Sequence, residues 1–163
     1  MSLDISQRTR LLFEERIHLT NIAEYGISWS ELTAGRTTPG AEGARFDLAF
    51  EGEVEGPQIK GKIKGVDYLE IRADGKFMLS IQAHITTDDG KRIAVKEDGV
   101  LYPGENGKAF IQLNLHFTTH YPEYAWLNNL QAWAIADVDM VRGEVVVSAY
   151  IGRPAGAQQN AAA

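Results

Sequence analysis

An imidazole and a carboxylate on neighbouring strands make a workable acid/base pair, and the segment from Asp67 to Glu97 offers one. Two Asp-Gly dipeptides, Asp74-Gly75 and Asp89-Gly90, cut it into three β-rich runs, DYLEIR, KFMLSIQAHIT and RIAVKE. Asp-Gly suits a two-residue hairpin turn, whose central residues need positive φ. Such a turn at 74–75 pairs Ile71 with Met78, Leu69 with Ser80 and Asp67 with Gln82. The same turn at 89–90 pairs His84 with Val95 and Gln82 with Glu97. Asp67, Gln82 and Glu97 then lie side by side, with His84 one diagonal step from Glu97. In that arrangement His84 is the acid/base, because imidazole titrates near neutrality, and Glu97 or Asp67 orients it. Its competing reading is a hydrogen-bonded structural histidine. Carboxylates this close and sheltered from water should not both ionise freely, so at least one should titrate high.

The face carrying Asp67, Ser80, Gln82, His84 and Glu97 is apolar at one end and polar at the other, as a cavity wall is. It is therefore assigned to the lumen, with Ser80 and Gln82 as ligand-binding groups. The opposite face, with Phe77, Leu79, Ile81 and Ile85, then points outward and calls for a second copy to cover it, so a homo-oligomer is expected.

Further along, YAWLNNLQAW sets Tyr124 and Trp126 two residues apart, on one face if the segment is a strand. They would stack on a flat ligand, or else be plain core. Asn128, on the same face, would orient a carbonyl or satisfy a buried turn. His116 and His120 are too far apart along a strand for easy chelation and have no third ligand nearby, so no metal site is expected. The chain has no cysteine, which removes thiolate chemistry and disulfides. Its glycines show no nucleotide-cradling spacing, and no cofactor is expected.

The elements that must position these groups are short strands. Turn signals recur at Gly56-Pro57, Asp74-Gly75, Asp89-Gly90, Asp98-Gly99, Pro103–Gly107 and Arg142-Gly143, with alternating β-rich runs between them. That pattern predicts an all-β domain, a single closed or nearly closed antiparallel β-barrel. The stretch from Thr20 to Gly35 reads equally as strand or short helix. The stretch FEGEVEGPQIKGKIKG folds as a hairpin through a four-residue loop, Gly56–Ile59. This sets Glu55 against Lys60, Glu53 against Lys62 and Glu51 against Lys64, with Gly65, Gly61 and Gly52 facing Phe50, Val54 and Ile63. The charges specify register rather than bind phosphate, since each lysine has its own glutamate.

At 163 residues and 44% hydrophobic, the chain is long enough for one domain with a core. The barrel is expected over residues 11–152, after a flexible N-terminus (1–10) and before a disordered tail (153–163). A net charge of −6 argues against nucleic acid or an anionic membrane as partner. With no signal peptide or membrane-length apolar run, a cytoplasmic protein is expected.

Three motifs, GVDYLEIRADG, ITTDDGKRIAV and above all YAWLNNLQAW, resemble in order and spacing the bacterial family known as domain of unknown function 3237. The resemblance spans Phe46 to about Tyr150. It implies a small β-barrel of the lipocalin or allene-oxide-cyclase type, often oligomeric, in a family without an assigned general activity. The family's polar positions fall on Asp67, Asp88, Tyr124, Trp126 and Asn128. Many members carry an acidic residue and an arginine where this chain has Ser80 and Gln82. The functional expectation is a barrel that binds a small apolar or aromatic metabolite. Its chemistry would be cofactor-independent isomerisation, cyclisation or elimination. The alternatives are a carrier barrel and a filled structural oligomer.

Overall fold

The charged hairpin has the register its sequence predicts. Glu55 faces Lys60, Glu53 faces Lys62, Glu51 faces Lys64, and Phe50, Gly52 and Val54 face Gly65, Ile63 and Gly61. Of the three charge pairs only Glu55–Lys60 closes to an ion pair, at 3.3 Å, while Glu51 lies 3.7 Å from His18 instead. These are the second and third of eight strands: β1 (Thr9–Glu24), β2 (Ala44–Glu55), β3 (Lys60–Ile71), β4 (Phe77–Thr87), β5 (Arg92–Pro103), β6 (Lys108–Thr118), β7 (Gln131–Asp139) and β8 (Glu144–Gly152). In the computed structural model, which describes residues 4–154, each strand pairs antiparallel with the next and β8 pairs with β1, closing the barrel. The strands begin at Thr9, preceded by a 3-10 turn at Ile5–Arg8. The expectations for residues 1–3 and for the tail beyond residue 154 fall outside the described residues.

Closure demands tight coiling, and glycine allows it where side chains would collide. A Cβ on Gly52 would sit 2.1 Å from the Arg16 carbonyl oxygen, and one on Gly99 2.0 Å from that of Gln112. The ambiguous stretch after Thr20 is both things in turn. It runs as strand to Glu24 and then forms a short helix, α1 (Trp29–Thr33), whose N-terminus is capped by the Ser28 hydroxyl accepting from the Glu31 N–H.

The two Asp-Gly turns correct the expected register. Each holds three loop residues, not two. In the first, Arg72 N–H donates to the Lys76 carbonyl at 2.9 Å and Gly75 N–H to the Arg72 carbonyl at 2.8 Å, with Gly75 at φ +86°. In the second, Thr87 and Lys91 close around Asp88, Asp89 and Gly90 in the same way, with Gly90 at φ +82°. This is a type I turn followed by a left-handed glycine. Side chains reinforce it: Asp74 accepts from Lys76 N–H, while the Thr87 hydroxyl accepts from Lys91 N–H and donates to Asp89.

One extra residue moves a strand by one register step and turns its side chains to the other face. Asp67 therefore faces Ile81, not Gln82, and Ile81 in turn faces Glu97. On β4 the inward residues are Leu79, Ile81 and Ile85, all buried, while Ser80 and Gln82 are exposed. The stripe expected to point outward thus lines the interior, and the ground on which a homo-oligomer was inferred is removed. The second slip undoes the first, so β3 and β5 keep their expected faces.

The barrel has one packed end and one hollow end. At the packed end Phe13 and Phe117 meet edge to face at 6.1 Å, above a 3-10 helix, Ala125–Asn129, that inserts the fully buried Leu127. At the hollow end α1 lies across the mouth, its Trp29 packed edge-on against Phe46 at 5.0 Å.

Candidate functional site

Alternation along β1 points Glu15, Ile17 and Leu19 inward, along β3 Asp67 and Leu69, and along β5 Glu97 and Leu101. These strands wall a cavity of about 80 Å³ in the hollow half. On β1, β3 and β5 the lining residue deepest in the barrel is the acidic one; nearer the mouth the wall is aliphatic and aromatic. Glu15, Asp67 and Glu97 thus form an acidic floor under an apolar sleeve. The mouth is lined by Leu19, Trp29, Met140 and Gly143.

All three are buried, at 2%, 6% and 4% exposure. Among the described residues no lysine, arginine or histidine lines the cavity with them. Asp67 accepts one hydrogen bond, from the Ser80 main-chain N–H at 3.1 Å, where the β3–β4 ladder skips two pairs. Glu15 Oε1 is buried without any partner. A carboxylate without water or a counter-ion is held protonated, and the values follow. Burial raises Asp67 to about 7, against the pull of the Ser80 bond, and Glu15 to about 8. Glu97 is raised well above its ordinary range, first by burial and then by the negative charges of Glu15 and Asp67. Near neutral pH the floor therefore offers one group close to half-ionised, Asp67, and two that hold protons.

Of the residues singled out in the sequence, Asp67 and Glu97 come together here. The others do not join them. Ser80 reaches the site only through its main chain, and Gln82 is on the outer surface. His84 lies in a shallow outer groove with His18, Glu51, Lys64 and Thr86; burial, then Arg92 and Lys64, lower its pKa. Tyr124, Trp126 and Asn128 belong to the 3-10 region at the packed end rather than to a strand face. Tyr124 donates to Asp89 at 3.0 Å, Trp126 donates to the Glu123 carbonyl, and Asn128 brackets the main chain of Thr119, bonding both its N–H and its carbonyl. Asn128 is thus the turn-satisfying group of its second reading. Asp88 is an exposed turn residue. Among the described residues no cluster of three His, Asp or Glu is placed to hold a metal ion, and no helix is long and apolar enough to cross a membrane.

The residue that sequence reasoning missed is Glu15. Its signal was present: Phe13, Glu15, Ile17 and Leu19 share one face of β1, and an acid in an apolar stripe is a candidate by position alone.

Fold and site together define a closed eight-stranded antiparallel barrel with an acid-floored lumen. The chain belongs to the family described as Protein of unknown function (DUF3237), which matches residues 19–151. A UPF0311 protein of Clostridium acetobutylicum is 32% identical over 95 residues, a match spanning 49% of this chain and 60% of that protein. Among solved structures, a β-barrel like protein of Acinetobacter baumannii superposes with a TM-score of 0.70 at 22% identity, covering 88% of this chain and 95% of the other. A protein of Penicillium herquei, described as an enzyme, superposes with a TM-score of 0.66 at 20% identity, covering 89% and 93%. At these identities the structural likenesses establish the fold.

Proposed function

We propose that the barrel takes a small, largely apolar molecule head-first into the lumen and acts on it by proton transfer, without a cofactor, as an isomerase, cyclase or lyase. The observation that carries this reading is the acidic floor: three buried carboxyl groups with no cation beside them, opening onto an apolar cavity. Such a cluster lowers stability whenever one member ionises, so an aliphatic residue would serve a purely structural barrel better. Asp67, poised at about 7, is the base that takes a carbon-bound proton next to the substrate oxygen. Glu97 and Glu15, protonated, hydrogen-bond that oxygen as charge develops on it, and Asp67 gives the proton back at another carbon of the same molecule. A neutral acid beside an ionisable one is a known way to run proton transfer next to a carbonyl. The description of the Penicillium herquei neighbour as an enzyme accords with chemistry on this fold. Assembly is not needed for this reading, since one chain supplies the whole site.

The test is hydrogen–deuterium exchange next to the carbonyl of a small ketone, such as cyclohexanone, followed by NMR in deuterated water. The protein should accelerate exchange, with a rate rising through about pH 7 as Asp67 ionises. Asp67→Asn and Glu97→Gln should abolish it. Binding of the ketone without exchange would make the protein a carrier, and no binding would remove the lumen as a site.

A further inference from the structure

The lumen does not end at its mouth. Leu19, Trp29, Met140 and Gly143 line the cavity and also line an outer groove between α1 and the β7–β8 turn. The groove has a volume of about 420 Å³, against about 80 Å³ for the lumen. Its polar character is opposite to that of the floor. Ser30 and Thr33 contribute hydroxyls, and among the described residues Arg142 is the only charged one on its wall. The Arg142 side chain is 73% exposed, with its nearest acidic partner, Asp139, at 3.9 Å.

We infer that groove and lumen are two halves of one site, and that its ligand is a single-chain amphiphile: an uncharged oxygen on the acidic floor, an apolar body through the neck, and an anionic end at Arg142. This rests on the lumen reading above and extends it outward. The floor rejects an anion because nothing there would balance its charge, and the groove favours one for the converse reason. The lumen alone is too small for such a molecule, so most of its length lies outside the neck.

Isothermal titration with two probes tests this: 1-hexanol, which the lumen holds, and 10-hydroxydecanoate, which needs both halves. The acid should bind more tightly than the alcohol. Arg142→Gln should weaken the acid roughly two- to fivefold, as loss of an exposed charge pair does, and remove its salt dependence. Ala34→Trp, which fills the groove from an exposed position, should weaken the acid tenfold or more. Neither change should affect 1-hexanol. If 1-hexanol binds and Ile81→Trp blocks it, while the acid ignores both groove variants, the two-part site is refuted and the lumen reading stands. If 1-hexanol does not bind at all, both fall together.

Discussion

Glu15→Gln removes one ionisable group from the floor and keeps its shape, so its effect on stability should depend on pH in a calculable way. In the folded barrel Glu15 holds its proton to about pH 8, against an ordinary value of 4.5. Between those limits the folded state binds a proton that the unfolded state releases, so stability falls as pH rises, and the loss is complete above the folded value. A displacement of about three and a half pH units corresponds to about 5 kcal/mol as an upper figure, at about 1.4 kcal/mol per unit. Relaxation of the surrounding protein relieves part of the burial cost, so a difference of about 2–4 kcal/mol is expected. At pH 5, where Glu15 is protonated, variant and parent should agree within about 1 kcal/mol, the scale of one altered hydrogen-bonding group. At pH 9 the variant should be the more stable by that 2–4 kcal/mol. Some of the gain comes through Glu97, which loses a negative neighbour. Urea unfolding followed by tryptophan fluorescence at pH 5, 7 and 9 measures this directly. Parallel stability curves for the two proteins would show that Glu15 ionises freely in the fold, and the acidic floor would lose its meaning.

His84→Ala should leave ketone exchange unchanged, because the ring lies on the outer face; a loss matching that of Glu97→Gln would return His84 to the site. Leu127→Ala should destabilise the barrel by about 2–5 kcal/mol, the usual cost of emptying a fully buried leucine site, seen as a lower urea midpoint with unchanged slope. A double-mutant cycle on Glu55 and Lys60 should give a coupling of about 0.2–1 kcal/mol at low salt that fades at high salt. The same cycle on Glu53 and Lys62, which face each other without forming an ion pair, should give less.

How far the sequence determines this site is best seen on β4. Where a turn is specified by a loop whose length is unambiguous, as at Gly56–Ile59, every pair in the hairpin can be counted from it, and the count holds. Where the turn is Asp-Gly, two solutions compete. The two-residue turn needs positive φ at both positions, whereas the three-residue turn asks it of glycine alone and lets aspartate bond the chain two residues on. In the first turn Asp74 takes the Lys76 N–H, and in the second the Thr87 hydroxyl takes the Lys91 N–H while donating to Asp89, so local chemistry chose the second solution each time. The price of that single residue was an inverted strand, which exchanged His84 and Gln82 for Ile81 and Ile85 in the barrel interior. Burial could have arbitrated, because Leu79, Ile81 and Ile85 form the more apolar face of β4, and that face belongs inside a barrel with no helix layer to cover it. Glu15 was hidden for a different reason. Leu12 and Phe13 are both buried where β1 bulges against β8, so strict alternation breaks just before the acid. Beyond the bulge the period of two resumes, and Glu15 falls in line with Ile17 and Leu19. An acid there has no neighbour to neutralise it and every reason to be replaced, unless what enters the lumen needs its proton.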